Sequence, residues 1–367
     1  MDIYISTISI PLDIICCLQK VMVIKDFLNL LSVNRLFNEL KGKIKFNNDV
    51  SLDEIWNLWY ADSFTKIIIY DLPTQNTDIE QQEYRIIPKS AIKLLFHGIF
   101  NKNIYGADIP INFIPNSVKR IFFSQDFSGD IYNCIPNSVT YLFFDFNSNN
   151  STYYTKAFHY KWDVGFNKPI DNCIPDSVTW LFLGKKFNQS VSDIPKSVKF
   201  LSLYNKNKSM GVIPDSIIDL AIRNDFDETE PFIPISVTKF YFYKNKSLAG
   251  YIPESVTYLY LGYFFNQSLE NTIPKSVTHI TFGSKFNQPL HNYIPEGTLA
   301  IKFGSDFNQN IMRCLPNTLI YLSFGTRFRQ NLKDCIPRSL KTLILPKLYD
   351  IYKVRKLVPK TTNIIIK

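Results

Sequence analysis

The stretch that decides the fold reads Ile252-Pro253-Glu254-Ser255-Val256-Thr257-Tyr258-Leu259-Tyr260-Leu261-Gly262, then Phe265-Asn266-Gln267-Ser268-Leu269. Val256, Leu259 and Leu261 form a Val-x-x-Leu-x-Leu pattern. Its last two members alternate with Tyr258 and Tyr260, which is the two-residue period of a strand. β-branched and aromatic residues suit a pleated surface. Pro253 stands before the strand, where its missing N–H costs no ladder bond. Gly262 ends the strand and is expected to permit a turn with positive φ, as are Gly184, Gly283, Gly304 and Gly325. Phe265 is expected to plug the core of a return limb. Asn266 is expected to bind turn backbone groups that burial would otherwise leave unpaired.

The pentad Ile-Pro-x-Ser-Val, or a close variant, recurs on a ruler. It reads IPKSA at 87, IPNSV at 114 and 135, IPDSV at 174, IPKSV at 194, IPDSI at 213 and IPISV at 233. It continues as IPESV at 252, IPKSV at 273, IPEGT at 294, LPNTL at 315, IPRSL at 336 and VPKTT at 358. From Pro175 to Pro359 the prolines are spaced by 20, 19, 20, 19, 21, 21, 21, 21 and 22 residues. A fixed period of this length means a stacked solenoid in which no repeat buries its apolar face alone. It is the short end of the leucine-rich range, too short for a second long helix. The fold class is therefore a leucine-rich-repeat-like solenoid, with parallel β-strands on one face and mostly irregular returns on the other. One interval breaks the ruler. Pro136 to Pro175 spans 39 residues and contains an insertion over about 146–165, with Tyr153, Tyr154, Phe158, Tyr160 and Trp162. Long loops are more often functional than neutral; a degenerate repeat without function is the alternative.

Phe-Asn at 187–188, 265–266, 286–287 and 307–308, followed by Ile-Pro at this spacing, resembles the FNIP repeat. That leucine-rich-like repeat occurs in social amoebae and giant viruses of amoebae. The resemblance covers residues 86–367. Phe328-Arg329 and Phe226-Asp227 depart from it, and the 19-residue repeats through Tyr204-Asn205-Lys206 and Tyr243-Lys244-Asn245 have shortened returns.

The N-terminal segment is a different object. Ile14, Ile15 and Leu18 are spaced for a helix face, and Phe27, Leu30, Leu31, Leu36, Phe37 and Leu40 continue that spacing with a shift. The order Pro11-Leu12, Ile14-Ile15, Leu18, Asp26-Phe27-Leu28 and Val33-Asn34-Arg35 resembles an F-box. Ile10 stands where that family usually has Leu before the Pro, and Asn34 where it has Ser after the Val. The resemblance implies a small α-helical domain over 1–50, with Pro11, Leu12, Ile14, Ile15, Leu28 and Val33 facing the Skp-type adaptor of a cullin ubiquitin ligase. A helical cap over the first repeat is the plainer reading. Residues 51–85 read as a connecting helix and a capping strand. Ser51-x-x-Glu54 makes a capping box for a helix over 51–62. Ser63 to Tyr70 aligns with the repeats without Ile-Pro and reads as an atypical first strand.

The charge balance is +9, but the lysines are scattered, without a run of five. That is a solvated surface more than a nucleic-acid footprint. No stretch of 18 apolar residues predicts a membrane span, and no basic residue precedes Lys20 to make a signal peptide. Cys134, Cys173, Cys314 and Cys335 share one position before the Ile-Pro or Leu-Pro step, as small residues in a stacked column. Without a Cys-x-x-Cys or His pair, no metal or other cofactor is predicted. The expected location is intracellular and cytoplasmic, the host cytoplasm if the source is viral.

His97, His159, His279 and His291 are isolated, and no G-x-S-x-G, Walker A or G-x-G-x-x-G occurs, so no catalysis is predicted. Strand alternation points the other residues outward: Arg120 and Phe122, Tyr141 and Phe143, Trp180 and Phe182, Phe200 and Ser202, Asp219 and Ala221, then on to Tyr321 and Ser323. Arg120, Phe122, Tyr141, Phe143, Trp180 and Phe182 are the candidate target-binding residues, since aromatics supply contact area at low entropy cost. Stacking of neighbours along a sheet is the plain alternative. The functional expectation is a substrate-recruiting adaptor of a cullin-type ligase that holds a protein target. A scaffold without a ligase link and a basic nucleic-acid binder are the alternatives.

Overall fold

The computed structural model describes residues 46–55, 58, 61–69, 86–96, 109, 111–125, 127–146, 165–204, 210–224, 233–347 and 349–367. The adaptor-docking set from Pro11 to Val33 and the insertion between 146 and 165 lie outside these residues. The chain divides into two compact bodies, Met1–Phe166 and Asn167–Lys367.

The described part of the first body is a run of parallel strands in chain order: β1 (Phe46–Ser51), β2 (Phe64–Ile69), β3 (Lys93–Phe96), β4 (Arg120–Ser124) and β5 (Tyr141–Phe146). The sheet starts one strand earlier than the sequence suggested, inside the stretch assigned to the helical domain. Packing makes β1 a strand. Phe46 is fully buried and stacks on Phe64 at 4.9 Å, and the Thr65 hydroxyl donates to the Phe46 carbonyl at 3.1 Å. The helix expected over 51–62 is also corrected. Ser51 ends β1, and the helix is one turn, α1 (Leu52–Ile55), followed after a break by a 3₁₀ turn at Ala61–Ser63. Leu52 and Ile55 are both buried, so this short turn already places its apolar residues inward.

The second body repeats the same unit: β6 (Trp180–Phe182), β7 (Phe200–Leu203), β8 (Asp219–Ile222), β9 (Lys239–Phe242), β10 (Tyr258–Leu261), β11 (His279–Phe282), β12 (Ala300–Lys302), β13 (Tyr321–Ser323), β14 (Thr342–Leu345) and β15 (Asn363–Ile366). Within this body each pairs in parallel with its sequence neighbours. The register puts Leu181, Leu201, Leu220, Phe240, Leu259, Ile280, Ile301, Leu322, Leu343 and Ile364 in one inward column. All of them are buried. Only a parallel arrangement in constant register can turn a fixed interval into such a column.

Hydrogen bonds explain the pentad. The Pro carbonyl accepts the N–H three residues on, as from Val256 to Pro253 and Val277 to Pro274, both at 3.1 Å, which closes a tight turn before the strand. In several repeats the Ser hydroxyl then reaches back one repeat, whereas those of Ser117, Ser197, Ser216 and Ser255 are buried without a hydrogen-bond partner. Ser276 donates to the Val256 carbonyl at 2.8 Å, Ser339 to Leu319 at 2.6 Å, and Ser138 to Val118 at 2.7 Å in the first body. Where Gly297 removes the hydroxyl, Thr298 supplies one from the next position, at 3.2 Å to Val277.

The return limb is held by two further columns. Phe187, Phe265, Phe286, Phe307 and Phe328 are buried plugs. Phe303 lies 3.9 Å from Phe307 and Phe324 3.7 Å from Phe328, with rings nearly parallel, and Phe286, Phe307 and Phe328 continue the stack at 5.9 and 6.1 Å. Burying such a side chain stabilises by roughly 1.5–3 kcal/mol. Next to the plugs runs a side-chain ladder. Asn287 Oδ1 accepts the Asn308 backbone N–H at 2.9 Å and the Gln309 side-chain amide at 3.1 Å. Asn266 serves Asn287 and Gln288 in the same way, and Asn308 serves Arg329 and Gln330. Asn245 of a shortened repeat serves Asn266 and Gln267, and Asn167 serves Asn188 and Gln189. Arg329 offers no acceptor oxygen, so the ladder stops there. Tyr349 takes the next place in the ring stack at 6.0 Å, and its hydroxyl donates to the Gln330 carbonyl at 2.7 Å. Helix α2 (Ile351–Arg355), N-capped by Asp350, then replaces a return limb.

Three positions read differently in the structure than in the sequence. The strand-end glycines Gly262, Gly283, Gly304 and Gly325 do not take positive φ; Gly211 and Gly250 do. They are glycine because repeats approach too closely for a side chain: a Cβ on Gly283 would overlap the Gly262 carbonyl, and one on Gly304 the Gly283 carbonyl. Positive φ falls elsewhere, two residues before the Ile-Pro or Leu-Pro step, at Asn112, Asn133, Asn172, Asn271, Arg313 and Asp334. The residue that follows donates back to the turn. Cys173, Cys314 and Cys335 thiols lie 3.3, 3.3 and 3.2 Å from the carbonyls two residues back, where Thr272 uses its hydroxyl at 3.2 Å. Cys134, Cys173 and Cys335 are buried and Cys314 is half-buried. Burial pushes the Cys335 and Cys314 thiols up from their ordinary pKa.

Two substitutions test this scheme by urea unfolding. Asn287→Ala removes the acceptor of Asn308 and Gln309, so it is expected to cost about 1–3 kcal/mol, while exposed Asn292→Ala stays within about 0.5 kcal/mol. Arg313→Asn keeps an exposed site but relieves a left-handed backbone at φ 57°, and is expected to stabilise by on the order of 1 kcal/mol.

Candidate functional site

The inward columns are fixed by packing, so the outward column is where sequence is free to serve something else. In the first body Arg120 pairs with Tyr141 and Phe122 with Phe143 across β4 and β5. Arg120 is exposed, and the three aromatics are half-buried. The Phe122 ring lies 5.4 Å from Tyr141 and 5.8 Å from Phe143, with the Lys93 ammonium 5.1 Å from its centroid.

In the second body Trp180 is 43% exposed and stacks on Phe200 at 4.5 Å, and Phe182 lies 4.8 Å from the same ring. The aromatic row continues through Tyr241, which lies 6.3 Å from Phe200 and 5.8 Å from Tyr258, to His279 beside Tyr258 at 6.3 Å. Each such stack contributes roughly 0.5–1.5 kcal/mol beyond area burial. The candidate residues therefore support their own face as well as present it.

Three positions expected on the outside are buried instead: Ser202, Ala221 and Ser323. They do point outward, but they are small and sit below larger neighbours. Arg223 covers Ser202, donating from Nε to its hydroxyl at 3.1 Å, and places its guanidinium 5.9 Å from the Phe182 ring and 6.0 Å from Tyr243. Such contacts add a cation–π attraction. Asp219 pairs with Lys239 at 3.0 Å. Burial, and then the Asp219 carboxylate, push the Tyr241 phenol up to about 12, so it stays a neutral hydrogen-bonding group at physiological pH. Arg223 and Tyr243 were not among the candidates read from the sequence. The available signal was that Tyr204, Arg223 and Tyr243 stand where other repeats have glycine.

Among the described residues no group of His, Cys, Asp and Glu is placed to hold a metal ion, and no helix is long and apolar enough to cross a membrane. The face offers aromatic surface, a few cations and hydroxyls. That is the chemistry of recognising a macromolecular surface.

The family model described as FNIP Repeat matches residues 100–147, 166–206, 245–285, 265–306 and 307–348, together more than half of the chain. Among solved structures, the chain is similar to CroV588, described as a novel circular LRR protein, at 23% identity and a TM-score of 0.52. The match covers 88% of this chain and 58% of that one, so the chain spans less than two thirds of the length of CroV588. YopM from Yersinia enterocolitica WA-314 matches at 13% identity and a TM-score of 0.26, covering 78% of this chain and 76% of that one. No curated protein matches the chain. The likeness to CroV588 is one of fold: a leucine-rich-repeat-like parallel solenoid, an architecture suited to holding protein partners.

The two strand faces separate by stability. Leu181→Ala empties a buried core position and is expected to cost about 2–5 kcal/mol. Trp180→Ala removes a stacked, partly exposed ring and is expected to cost about 1 kcal/mol. Equal losses in thermal or urea unfolding would mean that the outward ring is part of the core.

Proposed function

Because the chain belongs to the FNIP repeat family, we propose that it is a non-catalytic interaction protein whose outward strand faces hold a protein target. The observation that carries this is the outward aromatic row of half-buried rings led by the more exposed Trp180, which the inward packing does not require. Arg120, Phe122, Tyr141 and Phe143 in the first body, and Trp180 and Phe182 in the second, are its proposed target-contacting residues. Large, partly exposed aromatics and arginine are the side chains that most often anchor protein interfaces.

The finer reading is that the protein recruits its target to a cullin-type ubiquitin ligase. In this reading the part of 1–50 that precedes β1 forms an F-box-like helical domain, joined through β1 and 51–85 to the repeat array at 86–367. Support comes from the order Pro11-Leu12, Ile14-Ile15, Leu28 and Val33, followed by a repeat array in the same chain. Those apolar residues would form one face against a Skp-type adaptor. The repeats would position the target, and the assembled ligase would supply all of the chemistry. A scaffold without the ligase link shares the repeat half of this reading, and the N-terminal segment separates the two.

Replacing Leu12 and Ile15 together by Asp would put unpaired charge into that apolar contact, which costs several kcal/mol. The full chain is expected to capture a recombinant Skp-type adaptor, and the Leu12→Asp, Ile15→Asp double variant to lose capture with an unchanged melting transition of the repeats. Absence of capture by the wild-type chain would leave the plain scaffold. Capture equal in both would mean that these residues are not the docking face.

A further inference from the structure

The net charge is not spread along the chain. Residues 307–367 hold 12 Lys and Arg against 2 Asp, a balance of +10. Residues 1–306 hold the remaining 29 cations against 30 acids, a balance of −1. The cations that look scattered in the sequence thus build up an excess on the last three repeats. Those repeats are stacked in register through β13, β14 and β15, and the Tyr349 ring continues the column from Phe328. All 12 cations are exposed. Two of them have a carboxylate partner: Arg327 lies 3.2 Å from Asp306, and Lys353 lies 3.9 Å from Asp350. Among the described residues the others have none.

The acids in and before this region are committed to the fold. Asp350 caps α2, accepting the Tyr352 N–H at 2.9 Å and the Lys353 N–H at 3.3 Å. Asp334 sits in a left-handed turn at φ 58°, which Asp tolerates better than most residues. In the repeat before, Asp306 lies 3.0 Å from Lys285 as well as near Arg327, and Glu296 accepts the Asn317 N–H at 3.1 Å. One cation even displaces a lattice residue. Arg329 takes the place that Asn266, Asn287 and Asn308 hold in the ladder, and ends it.

The apolar side chains set among these cations narrow the choice of polyanion. Helix α2 and its exit read Ile351-Tyr352-Lys353-Val354-Arg355-Lys356-Leu357, between Lys347 and Lys360. Val354 is buried, whereas Ile351, Tyr352 and Leu357 are 40%, 82% and 37% exposed. Apolar groups left in water and ringed by cations suit the surface of an anionic bilayer, whose headgroups attract Lys and Arg and whose acyl boundary takes up apolar side chains. A nucleic-acid footprint needs the cations but has no use for Ile351 and Leu357. We propose that the surface of residues 307–367 docks peripherally on an anionic membrane. Ile351, Tyr352 and Leu357 enter the headgroup layer, and Lys347, Lys353, Arg355, Lys356 and Lys360 face the lipid anions. The repeats beneath already hold α2 in place, so docking spends little ordering entropy. This is independent of the target-holding reading, which uses the outward strand faces.

Co-sedimentation of the full chain with vesicles tests it. The chain is expected to bind vesicles of phosphatidylcholine containing about 30% phosphatidylserine and to ignore phosphatidylcholine alone. Raising salt from about 0.1 to 0.5 M is expected to weaken binding, as charge attraction is screened. The Lys347→Gln, Lys356→Gln, Lys360→Gln triple variant should bind at least about tenfold more weakly. A control triple variant, Lys119→Gln, Lys196→Gln, Lys275→Gln, removes the same charge from exposed sites outside this region and should bind as the wild type does. The Ile351→Ser, Tyr352→Ser double variant should bind at least about threefold more weakly. All of these side chains are exposed, and matching melting transitions check that the variants fold. Absence of vesicle binding by the wild type would overturn the proposal. Equal weakening by both triple variants would overturn it too, since overall charge would then suffice, as would binding that the Ile351, Tyr352 change leaves intact. A wild-type chain that binds a short DNA duplex and no vesicle would assign this surface to nucleic acid instead. None of these outcomes bears on target capture by the Trp180 row.

Discussion

The described repeats depend on their neighbours for much of their hydrogen bonding, and the rest of the structure follows from that dependence. A return limb of irregular backbone carries N–H groups without a sheet ladder of their own. In the ladder repeats one of them is met by the repeat before, through an Asn oxygen that accepts both a backbone amide and a Gln side chain. An orphaned group would cost about as much as a lost hydrogen bond, so the Asn must stand at one depth and one interval. Where Ser138, Ser236, Ser276 and Ser339 reach back, the pentad follows the same logic at the other end of the strand. Apolar columns then fall into line because the polar ones leave them no other register.

This division of labour separates what the lattice requires from what it leaves open. The inward Leu, the Phe plugs, the Asn and the strand-end Gly are determined by neighbours. The outward strand positions and the turn after the strand are not. A protein with this plan can vary its recognition surface one repeat at a time without disturbing the stack, which is why open aromatic and cationic positions carry the functional reading. The aromatic row and the basic surface of residues 307–367 both consist of residues that the stack does not require.

Much of this was legible in the sequence because it is periodic. The interval of prolines specified parallel strands in register, the alternation of Leu with Tyr specified their faces, and the recurrence of Phe-Asn specified a core plug and a backbone-binding Asn, though not that the Asn serves the next repeat together with its Gln. What was not legible depended on distance between repeats. Glycine at a strand end reads equally well as a turn former or as a point of close approach, and only the position of the Gly262 carbonyl under Gly283 decides between them. Ser202 and Ala221 follow the outward alternation, yet the size of their neighbours buries them. β1 was missed because Phe46 to Ser51 lacks the pentad; its membership rests on one buried Phe meeting another. The basic surface of residues 307–367 needed both kinds of information. Its cations are countable in the sequence, but their exposure beside Ile351, Tyr352 and Leu357 comes from the structure.

The strand-end glycines also bear on how such a chain can grow. From Gly262 to Gly325 successive glycines recur every 21 residues, and each backbone lies against the one before in the same way. The junction on one side of a repeat is thus the same as the junction on the other. Copying one such segment in tandem, or excising it, would restore an identical junction and leave the ring stack and the amide ladder in phase. Lengthening by whole repeats is therefore structurally neutral in this part of the molecule, whereas the 19- and 20-residue repeats that carry Tyr204, Arg223 and Tyr243 in place of the glycine lack such an interchangeable junction.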